Sequence, residues 1–333
     1  MKVLIIGGTK FLGRALVEAA LAKGHEVTLF NRGNTNPDLF PEVEKLRGNR
    51  DGELDALKGR KWDVAIDTCG YVPRIVKQSA ELLADAVEHY TFISTISIYA
   101  EEAVQAAGFV DEETPLASLA DETTEEVTGE TYGGLKALCE KAAEAAMPGR
   151  VLQIRPGLIV GPYDPTDRYT YWAIKMARGG QFVVPPMDSL IQGIDVRDLA
   201  EWTLRLAEAR QTGAYNGVGP AEKLTIGRMV EACQNVFGDQ AAEVIPMTEE
   251  FLLEQGVQPW VDYPAWLPTA YVGMNTVRLE KSIASGLTHR SVETTIKDTV
   301  DWYIETRGSI NDPLKTGMSD ERMAELLAAQ SDN

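Results

Sequence analysis

The sequence predicts an α/β fold: a doubly wound parallel sheet with a smaller C-terminal α/β lobe. Two observations predict it. Short apolar runs rich in β-branched residues alternate with amphipathic segments through the first half of the chain. That alternation builds a parallel sheet with right-handed crossovers. The glycine and polar clusters fall at the carboxyl ends of those runs, the edge of such a sheet where ligands lie.

Val3 to Ile6 reads as a strand buried on both faces, and it stops at Gly7-Gly8. Apolar residues then recur at helical spacing from Leu12 to Lys23, and Gly24 stands at the helix stop. A helix that starts directly after a glycine turn offers unpaired N–H groups and a partial positive charge to a phosphate. Gly7 allows the tight turn and Gly13 lets the helix pack close. Lys10 stands where the middle glycine of such a turn usually lies. The second strand, Glu26 to Phe30, ends in Asn31-Arg32-Gly33. NAD calls for a carboxylate here, on the ribose hydroxyls. An amide and a guanidinium suit a 2′-phosphate better, because Arg presents a planar fork of donors, and Lys10 reaches the same place. The expected cofactor is NADP, with NAD the alternative.

Val43 to Leu46 is a weak third strand ending in Gly48-Asn49-Arg50, followed by a short helix from Glu53 to Leu57. Val64 to Ile66 is the fourth, ending in Asp67-Thr68-Cys69-Gly70, with an amphipathic segment from Pro73 to Val87. Thr91 to Ser94 is the fifth, running into the hydroxyl-bearing Ser94 to Tyr99. The acidic stretch from Glu101 to Glu130, with Gly108, Pro115 and Gly129, reads as a surface excursion. Tyr132-Gly-Gly-Leu-Lys136 then opens a helix that runs to Met147 and stops at Pro148-Gly149. Residues four apart share a helix face. An ammonium beside a phenol favours the phenolate and lowers a pKa of about 10, which a Tyr acid/base needs near neutral pH. Beyond this lie helices over Tyr169–Arg178 and Val196–Arg210, strands at Phe182–Val184 and Ala214–Val218, and a Thr-capped helix over Thr225–Phe237. Val257 to Leu267 is a Pro-rich loop carrying Trp260, Tyr263 and Trp266, and the tail after Pro313 is charged.

Composition narrows the function. The chain has 333 residues, 44% of them apolar, enough for one large α/β domain and a smaller one. The net charge is −18 with no dense Lys/Arg run, which disfavours nucleic acid and anionic membranes as partners. Cys69, Cys139 and Cys233 lack metal-site spacing and read as reduced thiols in a cytoplasmic protein. No metal site is expected. No run is long enough to span a bilayer, and none reads as a signal peptide.

These residues together resemble the extended short-chain dehydrogenase/reductases, the NAD(P)-dependent epimerase/dehydratase superfamily, with its Rossmann-type sheet. The matching stretches are Gly7-Gly-Thr-Lys-Phe-Leu-Gly13, Ser94 to Tyr99, Tyr132 with Lys136, Arg155-Pro156-Gly157 before Gly161-Pro162, and Ile194 to Ala200. The resemblance implies a cofactor domain over residues 1–165, returning near 190–218, and a mainly substrate-binding lobe over 166–330. It implies that Tyr132 is the acid/base, that Lys136 holds the nicotinamide ribose, and that Thr95 holds the substrate oxygen, with Ser97 as rival. Gly7, Thr9, Lys10, Phe11, Leu12, Gly13, Asn31, Arg32, Thr68, Cys69, Gly70 and Pro156 would contact the cofactor, with Asn49 and Arg50 near the adenine. Ser97, Arg168 and Trp260 would meet the substrate, a sugar-like or small carbonyl compound. A homodimer is implied, formed through helices that include the Tyr132 helix, with Ala137, Ala145 and Ala146 on its exposed face. Two positions depart from the sugar-nucleotide epimerases, where asparagines are usual: Leu158 and Ile75. The Gly-Gly-Thr-Lys-Phe opening is also similar to the chloroplast stem-loop-binding proteins. This leaves a second reading, a cofactor-binding regulator that binds RNA.

Overall fold

The computed structural model describes residues 1–331, and the chain divides into two compact units. The first comprises Met1–Gly157, Val196–Val218 and Val277–Thr288. Its elements begin with β1 (Lys2–Ile6), α1 (Phe11–Ala22), β2 (Glu26–Asn31), β3 (Glu44–Arg47) and β4 (Val64–Asp67). They continue with α2 (Pro73–Leu83), β5 (His89–Ile93), α3 (Glu101–Ala107), α4 (Tyr132–Ala146) and β6 (Val151–Pro156). In the second unit lie β7 (Ile159–Val160), α5 (Arg168–Arg178), β8 (Gln181–Val184), β9 (Leu190–Ile191) and β10 (Ile194–Asp195). The chain returns to the first unit with α6 (Val196–Glu208) and β11 (Gly213–Gly217). It goes back to the second with β12 (Leu224–Thr225), α7 (Ile226–Phe237), β13 (Glu243–Pro246) and α8 (Glu249–Glu254). Then α9 (Glu280–Ala284) joins the first unit, while α10 (Val292–Arg307) and α11 (Asp320–Ser331) complete the second.

The first unit is a seven-stranded sheet in the order β11-β6-β5-β4-β1-β2-β3, every pair parallel. Parallel strands covered on both faces must be apolar throughout. Val3, Leu4, Ile5, Val64, Ala65, Ile66, Val151, Leu152 and Ile154 are all fully buried. Helices α1 and α6 pack together, as do α2 and α4. The strand order reverses between β1 and β4, the switch point where such sheets bind ligands. The second unit packs α5, α7 and α10 together beside the parallel β8–β13 pair. Its core holds Tyr171, Trp172, Phe182, Tyr263 and Trp266. The Trp172 indole donates to Pro264 O (2.7 Å) and the Tyr263 hydroxyl to Val183 O (2.9 Å), so Tyr263 and Trp266 are packing residues.

Three expectations change. The excursion after β5 contains a helix, α3, with Glu101 and Glu102 in its first turn and Gly108 in the left-handed region (φ 72°) after its last. The short helix placed at Glu53–Leu57 is a single 3-10 turn, Asp55–Leu57. Ala137, expected on an exposed face of α4, is 2% exposed, whereas Ala145 is exposed. The reason is that α4 is covered on several sides. It packs on α2, and a Cβ at Gly134 would lie 2.5 Å from the Leu119 side chain of the excursion.

Candidate functional site

The glycine turn after β1 has the bare backbone that a phosphate cradle needs. Gly7 and Gly8 have φ of 111° and 89°. A Cβ on Gly7 would lie 2.4 Å from Thr68 Oγ1, one on Gly8 would strike Leu29, and one on Gly13 would lie 2.7 Å from Gly8 N. So α1 is seated directly on the turn, and its first turn carries no acidic residue, which leaves the positive helix end open to an anion. Lys10 has extended backbone, φ −142° and ψ 134°, so the middle position needs no glycine. Thr9 is buried, Leu12 is buried, and Phe11 is half-buried with φ 43°.

At the end of β2, Asn31 ties the strand to this turn. Its Nδ2 donates to Gly7 O (2.8 Å), and its Oδ1 accepts from Gly33 N (3.0 Å) and from Arg47. Arg47 was missed in the sequence because it sits in the polar β3, and only the β2–β3 register, Asn31 opposite Arg47, brings it here. Arg32 and Lys10 are exposed. Asn36 of the following loop donates to Thr9 O (2.9 Å), folding the loop over the turn.

Arg50 points inward. Its guanidinium makes a forked pair with Asp67 (2.7 and 2.7 Å) and donates to Ser79 Oγ (2.8 Å), while the Tyr90 hydroxyl donates to the same carboxylate (2.7 Å). Burial opposes the charge on Asp67, but the Arg50 cation beside it and these hydrogen bonds hold its carboxyl below the ordinary value. Arg50 is thus committed to the floor beneath Thr68, Cys69 and Gly70. Asn49 closes a turn, accepting from Asp51 N at Oδ1 (3.2 Å). Thr68 donates to Ile6 O (2.8 Å). Cys69 is half-buried with its thiol pushed up by burial.

The hydroxyl turn after β5 is built on Thr95, whose Oγ1 accepts from Ser97 N (3.1 Å). A hydroxyl that accepts in this way keeps its own O–H to donate. Ser97 is exposed. The first turn of α4 lies flat on this turn, since a Cβ at Gly133 would meet Ser97 O at 2.1 Å. The Tyr132-Gly-Gly start therefore needs glycine at 133 to lie this close to the Ser97 carbonyl. Lys136, one turn on, is buried and donates to Gly70 O and Ile93 O, both at 2.7 Å. Its ammonium lies 4.3 Å from the Phe92 ring centroid, and burial lowers its pKa to about 8. A residue the sequence reading passed over, Tyr71, stands beside both. Its ring is 6.4 Å from that of Tyr132 and 5.4 Å from Lys136 Nζ. The available signal was an aromatic directly after Gly70 at a strand's carboxyl end. Pro156 ends β6 and is buried. Nearby, Arg155 and Glu140 form a buried forked pair (3.0 and 2.7 Å).

In the second unit, Arg168 at the start of α5 and Trp260 lie together, guanidinium to ring centroid 6.0 Å. Trp260 has φ 64°, a conformation costly for a bulky residue. Leu158, also in this unit, is buried and apolar.

Known proteins agree with this architecture. The profile of the NAD dependent epimerase/dehydratase family matches residues 3–218. The chain is 24% identical over 269 residues to the chloroplast stem-loop binding protein of 41 kDa b from Arabidopsis thaliana, a match covering 73% of this chain and 65% of that relative. It is 26% identical over 267 residues to the epimerase family protein SDR39U1 from Bos taurus, covering 74% of this chain and 84% of that one. The human SDR39U1 structure with NADPH superposes with a TM-score of 0.60 at 20% identity, covering 90% of this chain and 99% of that one. No helix among the described residues is long and apolar enough to cross a membrane, and no group of three or more His, Cys, Asp or Glu among them is arranged to hold a metal ion.

Proposed function

The chain belongs to the NAD dependent epimerase/dehydratase family, and on that premise we propose that it is an NADP-dependent oxidoreductase or epimerase/dehydratase in which Tyr132 is the acid/base. The observation that supports the reading is that Lys136, one helical turn after Tyr132, is fixed at the carboxyl ends of β4 and β5 by Gly70 O and Ile93 O, while the first turn of the same helix packs on the Ser97 carbonyl that follows Thr95. The residues present fit a dinucleotide. The Gly7–Gly13 turn would hold the pyrophosphate, Lys10, Arg32 and Arg47 a 2′-phosphate, and Lys136 the ribose beside the nicotinamide. When bound, the cofactor supplies the hydride donor or acceptor.

The protein's own groups do the rest. Tyr132 gives a proton to, or takes one from, the oxygen of a hydroxyl or keto carbon. Thr95 donates its hydroxyl hydrogen to that oxygen, and its place is fixed by the bond from Ser97 N. Lys136 presents a positive charge beside the phenol. Within the second unit, Arg168 and Trp260 pair a cation with a ring face, chemistry suited to a sugar-like or small carbonyl compound. A buried Leu158 offers no amide to a substrate diphosphate, which argues against a nucleotide sugar. A screen of carbonyl and sugar compounds, following cofactor absorbance, tests the whole reading. Tight NADPH binding without turnover of any compound would favour the regulatory reading instead.

Two expected results follow from named residues. The protein binds NADPH more tightly than NADH, and Arg32→Asp together with Arg47→Ala reverses the preference by roughly tenfold or more, the scale of charge-assisted hydrogen bonds. Equal calorimetric affinities of the parent for the two would overturn this. The homodimer through α4 predicts a dimer in a sedimentation run at micromolar concentration, which Ala145→Arg on the exposed face weakens. A monomeric parent would end that proposal.

A further inference from the structure

The segment Gly70–Arg74 runs from the end of β4 into the first turn of α2 and reaches both the Tyr132–Lys136 pair and the excursion before it. Gly70 holds Lys136 by its carbonyl, and Tyr71 lies against both side chains. Arg74 reaches the excursion that leads into Tyr132. It grips Glu125 with Nε and Nη2 (2.7 and 3.0 Å) and Asp51 with Nη1 and Nη2 (2.7 and 3.3 Å). One guanidinium thus joins the loops that follow β3, β4 and β5. All three loops leave the carboxyl edge of the sheet, where the cofactor of such folds lies.

The chain from Glu126 to Tyr132 is internally tied. Thr131 Oγ1 donates to Glu126 O (2.5 Å), Thr128 N donates to Thr131 Oγ1 (2.9 Å), and Tyr132 N donates to Thr128 O (3.0 Å). A restraint applied at Glu125 is therefore passed along a short braced segment to the start of α4. A lone exposed ion pair contributes little, but a doubly forked Arg between two carboxylates is the geometry in which such pairs count. Its hydrogen bonds hold the carboxyls of Glu125 and Asp51 below their ordinary values.

We propose that Arg74 is a positioning residue that clasps the chain leading into Tyr132 across the cofactor edge, so that cofactor exchange requires its two ion pairs to open. The proposal rests on the cofactor reading above. Its test has two arms. The first needs no cofactor: digestion of the folded protein by a protease that cuts after glutamate, followed at Glu122, Glu126 and Glu130, which every variant keeps. Arg74→Ala should speed cleavage in this segment about threefold to tenfold, as expected for losing two surface pairs, and Glu125→Gln should do nearly the same. The double variant should add little to either, and a thermal melt confirms that each variant is folded. The second arm is NADPH release followed by stopped-flow fluorescence. Release from the parent should quicken with added salt and be several-fold faster in Arg74→Ala, whose rate should depend less on salt because only the phosphate contacts of the cofactor are then screened. Arg74→Lys should fall between, since an ammonium cannot fork onto two carboxylates. Equal cleavage and equal release in parent and Arg74→Ala overturn the clasp. Altered cleavage with unchanged release overturns its gating of exchange. If neither NADPH nor NADH binds the parent, the cofactor reading fails and the gating fails with it, while the digestion arm alone still decides whether Arg74 fastens the segment.

Discussion

Replacing Tyr132 by Phe is expected to lower turnover by roughly a hundredfold or more, the usual share of a general acid/base, while fold and cofactor affinity survive. The change removes one oxygen and keeps the ring that lies 6.4 Å from Tyr71. The turn beneath, seated on Gly133 against Ser97 O, is untouched. Thr95→Val should also cut turnover, and for a second reason should cost stability. In the proposed chemistry the Thr95 hydroxyl donates at the substrate oxygen; in the structure it accepts from Ser97 N as the cap of the 3-10 turn Ile96–Ile98, and losing a cap costs about 1 kcal/mol. Thr95→Ser should restore both properties. Ser97→Ala should matter little, because Ser97 is exposed and its backbone, not its hydroxyl, makes the contacts described here. Steady-state kinetics on a substrate from the screen, with thermal melts beside them, check the set. Full activity in Tyr132→Phe would move the proposed chemistry elsewhere.

How much of this was legible in the sequence depends on how local each feature is. The β1–turn–α1 unit is local. A β-branched run, a glycine pair and a helical repeat follow one another within Val3–Lys23, and the structure has them in that order. Even the missing middle glycine is explained locally, since Lys10 adopts extended backbone. The Tyr132–Lys136 spacing is local too. Arg47 and Arg50 are not. Each is a basic residue near a strand end, yet one turns to Asn31 across the β2–β3 register and the other inward to Asp67. Sequence spacing cannot tell those outcomes apart, because they depend on which strand lies alongside. In α3 the signals were present, with acids in the first turn and Gly108 after the last. They were outweighed by an acidic composition that reads as loop, and only Val104 of that helix is buried. Ala137 was misplaced because helix periodicity alone assumes one buried stripe, whereas α4 is covered by α2 and by Leu119 of the excursion as well as by the sheet.

Lys136 gives the second large effect, and its pH dependence has two opposite signs. The ammonium is buried, and that burial lowers its pKa from 10.5 to about 8 against the upward pull of Cys139, Asp67 and Glu140. Two of its N–H groups are spent on Gly70 O and Ile93 O, which leaves a third for a ribose hydroxyl. NADPH affinity should therefore hold steady below about pH 7 and fall as pH rises through 8, where the charged form is lost. Folding responds the other way. The unfolded chain keeps this proton up to 10.5 and the folded protein only to about 8. Between those values the unfolded state binds more protons, so the Lys136 contribution to stability rises with pH. A pKa lowered from 10.5 to about 8 corresponds to a rise of about 3 kcal/mol in all. Lys136→Met removes both dependences. NADPH binding should be weaker and flat with pH across this range, turnover should fall, and the parent-minus-variant difference in urea midpoint should grow from pH 8 to 10.5. Taking that difference cancels the tyrosines and thiols whose titration does not depend on Lys136. A difference in midpoint that stays constant with pH would show that Lys136 carries no buried, weakened charge.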